Sequence, residues 1–156
     1  MNVVRTNDMP WADALVKGAF ANRRKELGGE KLACGLWELA PGKKSFPLHM
    51  HHVTEEALFV VSGTAVVRTP EGETPIGPGD FVSFPAGGVP HQLRNDGTVP
   101  LVYVGIAANH TGADIVEYPE SAKVATSIGK GPARKRYSFR TKDQADYFDG
   151  EKDAGG

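Results

Sequence analysis

The sequence has little of three features that often decide a protein's class: cysteine, net charge and long apolar runs. Cys34 is the single cysteine among 156 residues, which excludes a disulfide within the chain and a cysteine-rich zinc knuckle. Since 18 Lys and Arg stand against 19 Asp and Glu, the chain has no global field that would attract nucleic acid or an anionic membrane. We therefore expect no nucleic acid and no membrane as partners.

Long hydrophobic stretches are also missing. The longest strictly apolar run, residues 57–61, falls far short of the roughly 20 residues that a membrane span needs. Near the beginning of the chain, Arg5, Asp8 and Asp13 interrupt any apolar segment of the kind that a secretory leader requires. A cytoplasmic protein is the expectation that follows.

Glycine and proline, by contrast, are abundant. The 19 glycines and 11 prolines make up about a fifth of the chain, against a background of roughly 12%, while a hydrophobic content of 40% argues against general disorder. Short strands separated by regular turns are typical of an all-β sandwich or barrel. The candidate strands are residues 31–39, 45–51, 56–62, 64–69, 81–84, 91–94 and 101–107, and Gly28-Gly29 predicts a hairpin from 22–27 into the first of them.

The N-terminal segment is expected to be short and either helical or irregular. Asp8 suits the N-cap of a helix and Pro10 suits its first turn, so one or two helical turns within residues 11–20 are one possibility.

Side chains that can bind a metal are concentrated at the end of the second candidate strand, 45–51. Three of the five histidines lie within four consecutive residues, and in a strand His49 and His51 project from one face while His52 points away. A turn then lets Glu56 open the adjacent antiparallel strand toward the same cavity, and strand parity favours it over Glu55. Two imidazoles and a carboxylate from neighbouring strands are suitable ligands for a first-row metal.

These residues resemble the first sequence motif of the cupin family, G-x5-H-x-H-x3,4-E-x6-G. Four residues separate His51 from Glu56, and six more lead to Gly63. The departure is at Gly42, which lies one residue too far upstream of His49.

The second cupin motif, G-x5-P-x-G-x2-H-x3-N, follows fifteen residues after Gly63. It is matched by Gly79, Pro85, Gly87, His91 and Asn95. One extra residue lies between Gly87 and His91, whereas the spacing from His91 to Asn95 is intact.

The resemblance implies an all-β double-stranded β-helix, the jelly-roll barrel of the cupins, with His49, His51, Glu56 and His91 as metal ligands. Such a set accepts one divalent transition metal, and Zn, Mn, Fe, Ni, Co and Cu all stay open. We expect a single cupin domain over residues 1–156, with a barrel core of about 22–110. Residues 111–156 form a C-terminal extension, expected to be partly docked and disordered at its end. Two of its stretches, 118–124 and 146–151, resemble a group of cupins of unassigned role.

The apolar pattern of the strands bears on assembly. In residues 56–62 the outward positions Ala57, Phe59 and Val61 are as apolar as the inward ones. An outer barrel face should be polar unless something covers it, and the N-terminal segment, the extension or another subunit could do so. Because cupins of this kind commonly pair through their sheets, we predict a homodimer.

Two functions are compatible with these features, and neither assigns a catalytic residue. The first is a metal-dependent enzyme that isomerises, cyclises or dioxygenates a small oxygenated substrate, which the metal would polarise as a Lewis acid. The second is a non-catalytic, metal-dependent module that binds or senses a small molecule, because no general base stands out beside the ligands. The expected cavity walls are Leu58, Val60, Leu93, Phe46, Trp37 and Phe84.

Charge and the remaining histidines complete the expectations for the site. A phosphosugar isomerase would need Lys or Arg in the cavity, and the ligand strands offer none, because Arg94 has the opposite parity to His91. We expect His52 and His110 to be solvent-facing or structural.

Overall fold

The fold consists almost entirely of antiparallel strands. A computed structural model describes residues 3–108, 112–129 and 133–152. The strands within these ranges are β1 (Leu15–Lys17), β2 (Phe20–Gly28), β3 (Leu32–Leu39), β4 (Met50–His51), β5 (Glu56–Ser62), β6 (Ala65–Thr69), β7 (Gly72–Ile76), β8 (Phe81–Phe84), β9 (Gln92–Arg94), β10 (Leu101–Ala108), β11 (Asp114–Tyr118), β12 (Lys123–Ile128) and β13 (Lys135–Arg140). Short 3-10 turns occur at Thr6–Asp8, Pro119–Ser121 and Thr141–Asp143.

The strands form three antiparallel sheets. The largest has the order β1-β2-β3-β10-β5-β8, the second β13-β12-β11-β4 and the third β7-β6-β9. Consecutive strands such as β5 and β6 therefore lie in different sheets, as the jelly-roll topology requires. The predicted all-β jelly-roll barrel is confirmed, and so is the hairpin of β2 and β3.

The hydrophobic core lies between the largest sheet and the three-stranded sheet. On β5, Leu58 and Val60 are buried while Phe59 between them is 43% exposed, which is the two-residue period of a strand with one face inward. They pack with residues of β3, β6, β7, β9 and β10, namely Leu39, Ala65, Val67, Ile76, Leu93, Leu101 and Tyr103.

The N-terminal segment differs from one detail of the sequence interpretation. The helical turn considered within residues 11–20 is wrong, because β1 pairs with β2 in a tight hairpin that joins Lys17 to Phe20. Gly18 at its corner has a φ of 59°, a conformation that glycine adopts without steric cost. The chain before β1 is irregular apart from the 3-10 turn at Thr6–Asp8.

The C-terminal strands join the rest of the fold through β4. β11 pairs with β4, β12 with β11 and β13 with β12, so strands that the sequence interpretation had not predicted extend one sheet. The division into a barrel core and an extension stays a prediction. The chain end predicted to be disordered includes residues 153–156, which lie outside the described residues.

Candidate metal centre and its cavity

Backbone pairing places two histidines side by side. His49 and His91 form an antiparallel bridge, in which the amide of each donates to the carbonyl of the other at 3.2 and 2.8 Å. Their imidazole rings lie 4.9 Å apart between centroids. His51 follows on the same face, and its ring lies 5.2 Å from that of His49. The two-residue spacing therefore places the imidazoles of His49 and His51 on one face, and the backbone bridge places the imidazole of His91 beside them.

Glu56 meets these three imidazoles from the first position of β5. Its Oε2 lies 3.5 Å from Nε2 of His51, 3.5 Å from Nε2 of His91 and 3.9 Å from Nε2 of His49. His49, His51 and Glu56 each offer one ligand atom within 4.8 Å of the others, and His91 joins them through the same carboxylate oxygen. Glu55, the rival in the sequence interpretation, is exposed to solvent.

Hydrogen bonds on the far side of two rings orient them toward the carboxylate. Nδ1 of His49 donates to the carbonyl of Pro47 at 2.8 Å, and Nδ1 of His51 donates to Oδ2 of Asp114 at 2.5 Å. With the proton on Nδ1, each ring presents the lone pair of Nε2 to the centre. Atoms bound about 2.0–2.2 Å from one ion lie roughly 3.0–3.6 Å from one another. The distances from Glu56 to His51 and His91, both 3.5 Å, lie in this range, and the 3.9 Å to His49 is slightly longer, so the donor set suits a divalent transition metal.

Burial and neighbouring charges set the protonation of the centre. Burial, followed by the field of His91, lowers the pKa of His49 to about 4. Burial alone would raise the pKa of the Glu56 carboxyl, but the hydrogen bond of His91 and the fields of His51 and His49 outweigh it and hold that pKa below its usual value. A neutral imidazole beside an ionised carboxylate is the state in which these groups bind a metal.

Asp114 contacts the candidate centre, and the sequence interpretation missed it. It begins β11, 63 residues after His51 in the chain, and its Oδ1 also accepts from the amides of Val53 and Thr54 at 3.3 Å. Burial would raise the pKa of Asp114, but the hydrogen bond from His51 keeps it lowered. One carboxylate therefore fixes both a ligand ring and the turn that leads to Glu56. No local signal reveals this role, because it depends on the long-range pairing of β11 with β4.

Phe84 and His91 form a stacked pair at the other side of the centre. Their ring centroids lie 3.7 Å apart and the planes are 10° from parallel. Nδ1 of His91 is buried without a hydrogen-bond partner among the described residues. The ring of His91 is therefore held by this stacking, by the backbone bridge to His49 and, at Nε2, by the carboxylate of Glu56.

The centre opens into a cavity of about 800 Å³ with aromatic walls. Trp37 stacks on Tyr103 at 6.4 Å and meets Phe46 edge-on at 5.6 Å. A Cβ on Gly105 would lie only 2.8 Å from Nε1 of Trp37, so glycine there leaves room for the indole. Five of the six predicted wall residues line the cavity, Leu58, Leu93, Phe46, Trp37 and Phe84. The sixth, Val60, is fully buried and belongs to the core.

His52 lies away from the centre. His52 is exposed and pairs with Glu117 at 2.8 Å, as expected for a residue of the opposite strand parity. His110 lies outside the described residues.

Comparison with known proteins finds a family model that matches the middle of the chain. Residues 35–107, which include all four candidate ligands, match the family model of the cupin domain. Auxin-binding protein ABP19a of Prunus persica is 29% identical over 111 residues, which cover 67% of this chain and 52% of that protein. The chain spans about half the length of this curated relative.

Two solved structures share the fold over most of both chains. A provisionally assigned sugar phosphate isomerase from Acidithiobacillus ferrooxidans is 29% identical, with a TM-score of 0.79 over 90% of each chain. A sugar phosphate isomerase of the cupin superfamily from Silicibacter pomeroyi is 21% identical, with a TM-score of 0.79 over 92% of this chain and 95% of that one. The domain match and the shared fold support a cupin domain within this small chain.

No helix in the described part of the chain is long and apolar enough to cross a membrane.

Proposed function

We propose that His49, His51, Glu56 and His91 bind one divalent transition metal and that the protein is a metal-dependent enzyme acting on a small oxygenated molecule. The observation that carries this proposal is the convergence of three Nε2 atoms on one carboxylate oxygen at 3.5–3.9 Å. Zn, Mn, Fe, Ni, Co and Cu are all compatible with this ligand set.

The surrounding residues prepare the site for a ligand. A bound metal would supply a Lewis acid that polarises a carbonyl or hydroxyl oxygen. Asp114 holds the ring of His51 in one tautomer, and Trp37, Phe46 and Tyr103 give the cavity an apolar wall that excludes water from a bound molecule. Isomerisation, cyclisation and dioxygenation all use a substrate oxygen in this way. The Acidithiobacillus ferrooxidans protein, at 29% identity, supports isomerisation as the first reaction to test.

A non-catalytic, metal-dependent binding module is the second candidate. The observation that favours it concerns a possible general base. Asp114 is a carboxylate near the centre, but it already accepts hydrogen bonds from His51 and from the amides of the turn. If that carboxylate cannot accept a substrate proton, the cavity binds a small molecule without transforming it.

Metal-loaded protein separates the two candidates. Fe-, Ni- and Mn-loaded samples are assayed for oxygen consumption with catechols, diketones and thiols, and for aldose–ketose interconversion. Turnover that is lost in His91→Ala and kept in His52→Ala, a matched change at an exposed histidine, supports the enzyme. Ligand binding without turnover across these metals and substrates supports the module.

We also propose a homodimer formed through the outer face of the largest sheet. Phe59 on β5 and Phe81 on β8 are direct cross-strand partners and are 43% and 62% exposed, with Val61 beside them 48% exposed. A contiguous apolar patch of this kind is typical of an interaction surface.

A further inference from the structure

Three cations line one wall of the cavity, and all come from the C-terminal strands. Lys123 begins β12, Arg136 lies on β13 opposite Ser127, and Arg134 precedes β13. Lys123 and Ser127 are an even number of residues apart on β12 and therefore project from the same face. The sequence interpretation had found no cation for the cavity because it considered only the ligand strands. Arg94, which it placed outside, does pair away from the centre with Glu73.

Four of the other arginines pair with carboxylates, whereas these three cations do not, and Arg5 and Arg140 are likewise unpaired in the part of the chain that the structure describes. Arg23, Arg68 and Arg94 each bind a carboxylate at 2.8 Å or less. Arg24, a fourth cation of the cavity, lies 3.3 Å from Glu26. In the ranges that the structure covers, no carboxylate lies within 4.0 Å of Lys123, Arg134 or Arg136. Cations that line one cavity without a counterion favour an anionic ligand.

The wall also provides a hydroxyl donor. Nη2 of Arg134 donates to Oγ of Ser127 at 3.1 Å, so the hydroxyl proton of this buried serine remains free to donate. Three cations and a hydroxyl match the charge and the three terminal oxygens of a phosphate ester better than the single charge and two oxygens of a carboxylate.

One aromatic ring links this wall to the metal centre. Nζ of Lys123 lies 5.2 Å from the ring centroid of Tyr118, and that ring stacks on His49 at 5.9 Å. A small molecule lying along Tyr118 can therefore present its anionic end to the cations and an oxygen at its other end to the centre.

We propose that Lys123, Arg134 and Arg136 form a phosphate-binding subsite, which selects a small phosphorylated carbonyl or polyhydroxy compound as the ligand of the cavity. The choice of that compound rests on the proposed metal-dependent function, whereas the subsite itself does not require the metal. The C-terminal extension thereby provides specificity for the phosphate group, and the β4–β5 region provides the candidate metal centre.

Binding of inorganic phosphate and of acetate to metal-free protein tests the subsite. Protein is treated with chelator, dialysed and titrated calorimetrically at low ionic strength. We expect phosphate to bind more tightly than acetate, and Lys123→Gln and Arg136→Gln each to weaken phosphate binding about tenfold. Lys135→Gln is the matched control. Lys135 lies next to Arg136 but on the opposite face of β13, and its substitution removes the same charge.

Three results would overturn the subsite: acetate binding as tightly as phosphate, Lys135→Gln weakening phosphate as much as Arg136→Gln, or no phosphate binding. Ribose 5-phosphate and ribose, titrated in parallel, extend the test to a sugar, and equal affinities would also contradict the proposal. Elemental analysis of the metal-loaded protein is independent of these titrations. If the protein takes up no metal but the phosphate titrations give the expected affinities, the proposed metal-dependent function is wrong and the phosphate subsite stands.

Discussion

The tautomer of His51 depends on a single carboxylate. Asp114 accepts the Nδ1 proton of that ring at 2.5 Å and is itself anchored by two backbone amides. Partners of this kind raise the basicity of a ligand imidazole and fix its orientation, and their removal costs about 10–100-fold in metal affinity.

Asp114→Asn should therefore weaken metal binding by about 10–100-fold while leaving the fold intact, because the amide oxygen can still accept from the turn. Competition with a chromophoric chelator measures the affinity. Glu117→Gln is the control, since that carboxylate pairs with the exposed His52. An unchanged metal affinity in Asp114→Asn would show that Asp114 does not orient His51 for metal binding.

His49 should make the metal-free protein sensitive to mild acid. Its pKa falls from 6.5 to about 4 on folding, so between these values the unfolded chain binds a proton that the folded chain does not. The free energy of unfolding should then decrease as the pH falls from about 6.5 toward 4, by about 1.4 kcal/mol per pH unit for one proton. Above pH 6.5 this residue contributes no slope.

Urea denaturation of chelator-treated protein between pH 7.5 and 4.5 measures that dependence. His49→Gln should show a shallower decrease than the natural chain over the same interval. Equal slopes in the two proteins would mean that His49 is not held neutral by the fold.

At the scale of the element, Gly63 shows why a motif glycine is required. It ends the turn after β5 with a φ of 77°, and a Cβ there would lie 2.4 Å from the carbonyl oxygen of Pro100. Gly42 has a similar φ of 68°, but a Cβ there would have no neighbouring atom within 4 Å. An alanine at Gly42 would therefore add backbone strain alone, whereas an alanine at Gly63 would add both backbone strain and steric overlap.

Gly63→Ala should cost roughly 2–4 kcal/mol, because about 1–2 kcal/mol of left-handed strain adds to a forced displacement of the Pro100 backbone. Gly42→Ala should cost only the strain. Chemical denaturation of both variants gives the two free energies, and equal costs would show that the contact with Pro100 relaxes freely.

The elements differ in how far their sequence could predict them. The hairpin of β2 and β3 has a double glycine at its corner and a largely apolar strand after it, so local pattern is sufficient. β13 has the sequence Lys-Arg-Tyr-Ser-Phe-Arg and is exposed along its whole length, which resembles a solvated tail. Its strand conformation depends on pairing with β12, a partner that local pattern does not reveal.

The candidate ligands were predictable for a similar reason. His49, His51 and Glu56 lie within eight residues: strand parity brings the two histidines to one face, and the turn that follows brings Glu56 to them from a strand of another sheet. His91 came from the motif spacing. Asp114 and the cations of the C-terminal strands reach the cavity only because β11 pairs with β4, a long-range pairing that the sequence does not specify in any single segment.

At the scale of the whole molecule, the exposed phenylalanines of β5 and β8 bear on assembly. Light scattering after size exclusion should give the mass of a dimer at micromolar concentration. Phe81→Lys should shift the protein toward monomer, because it places a charge in the centre of the apolar patch. Tyr147→Lys, at an aromatic residue that is 88% exposed elsewhere, should leave the mass unchanged. A monomeric natural chain at this concentration would contradict the proposal.

The centre draws on two sheets of the molecule, because β4 belongs to the sheet of β11, β12 and β13 whereas β5 belongs to the largest sheet. β4 and β5 carry His51 and Glu56, β11 supplies the carboxylate that orients the first of these, and the strands beyond it supply the cations. A barrel that brings these strands to one cavity can hold a metal ion and a charged ligand at the same time.

Elemental analysis of reconstituted protein tests the central claim, the metal centre, most directly. The natural chain and His52→Ala should each retain about one divalent transition metal ion per chain after dialysis, and His91→Ala should retain far less. Added metal should also raise the melting temperature of the first two proteins, since a ligand of the folded state stabilises it. Absence of retained metal together with an unchanged melting temperature in the natural chain would contradict the account.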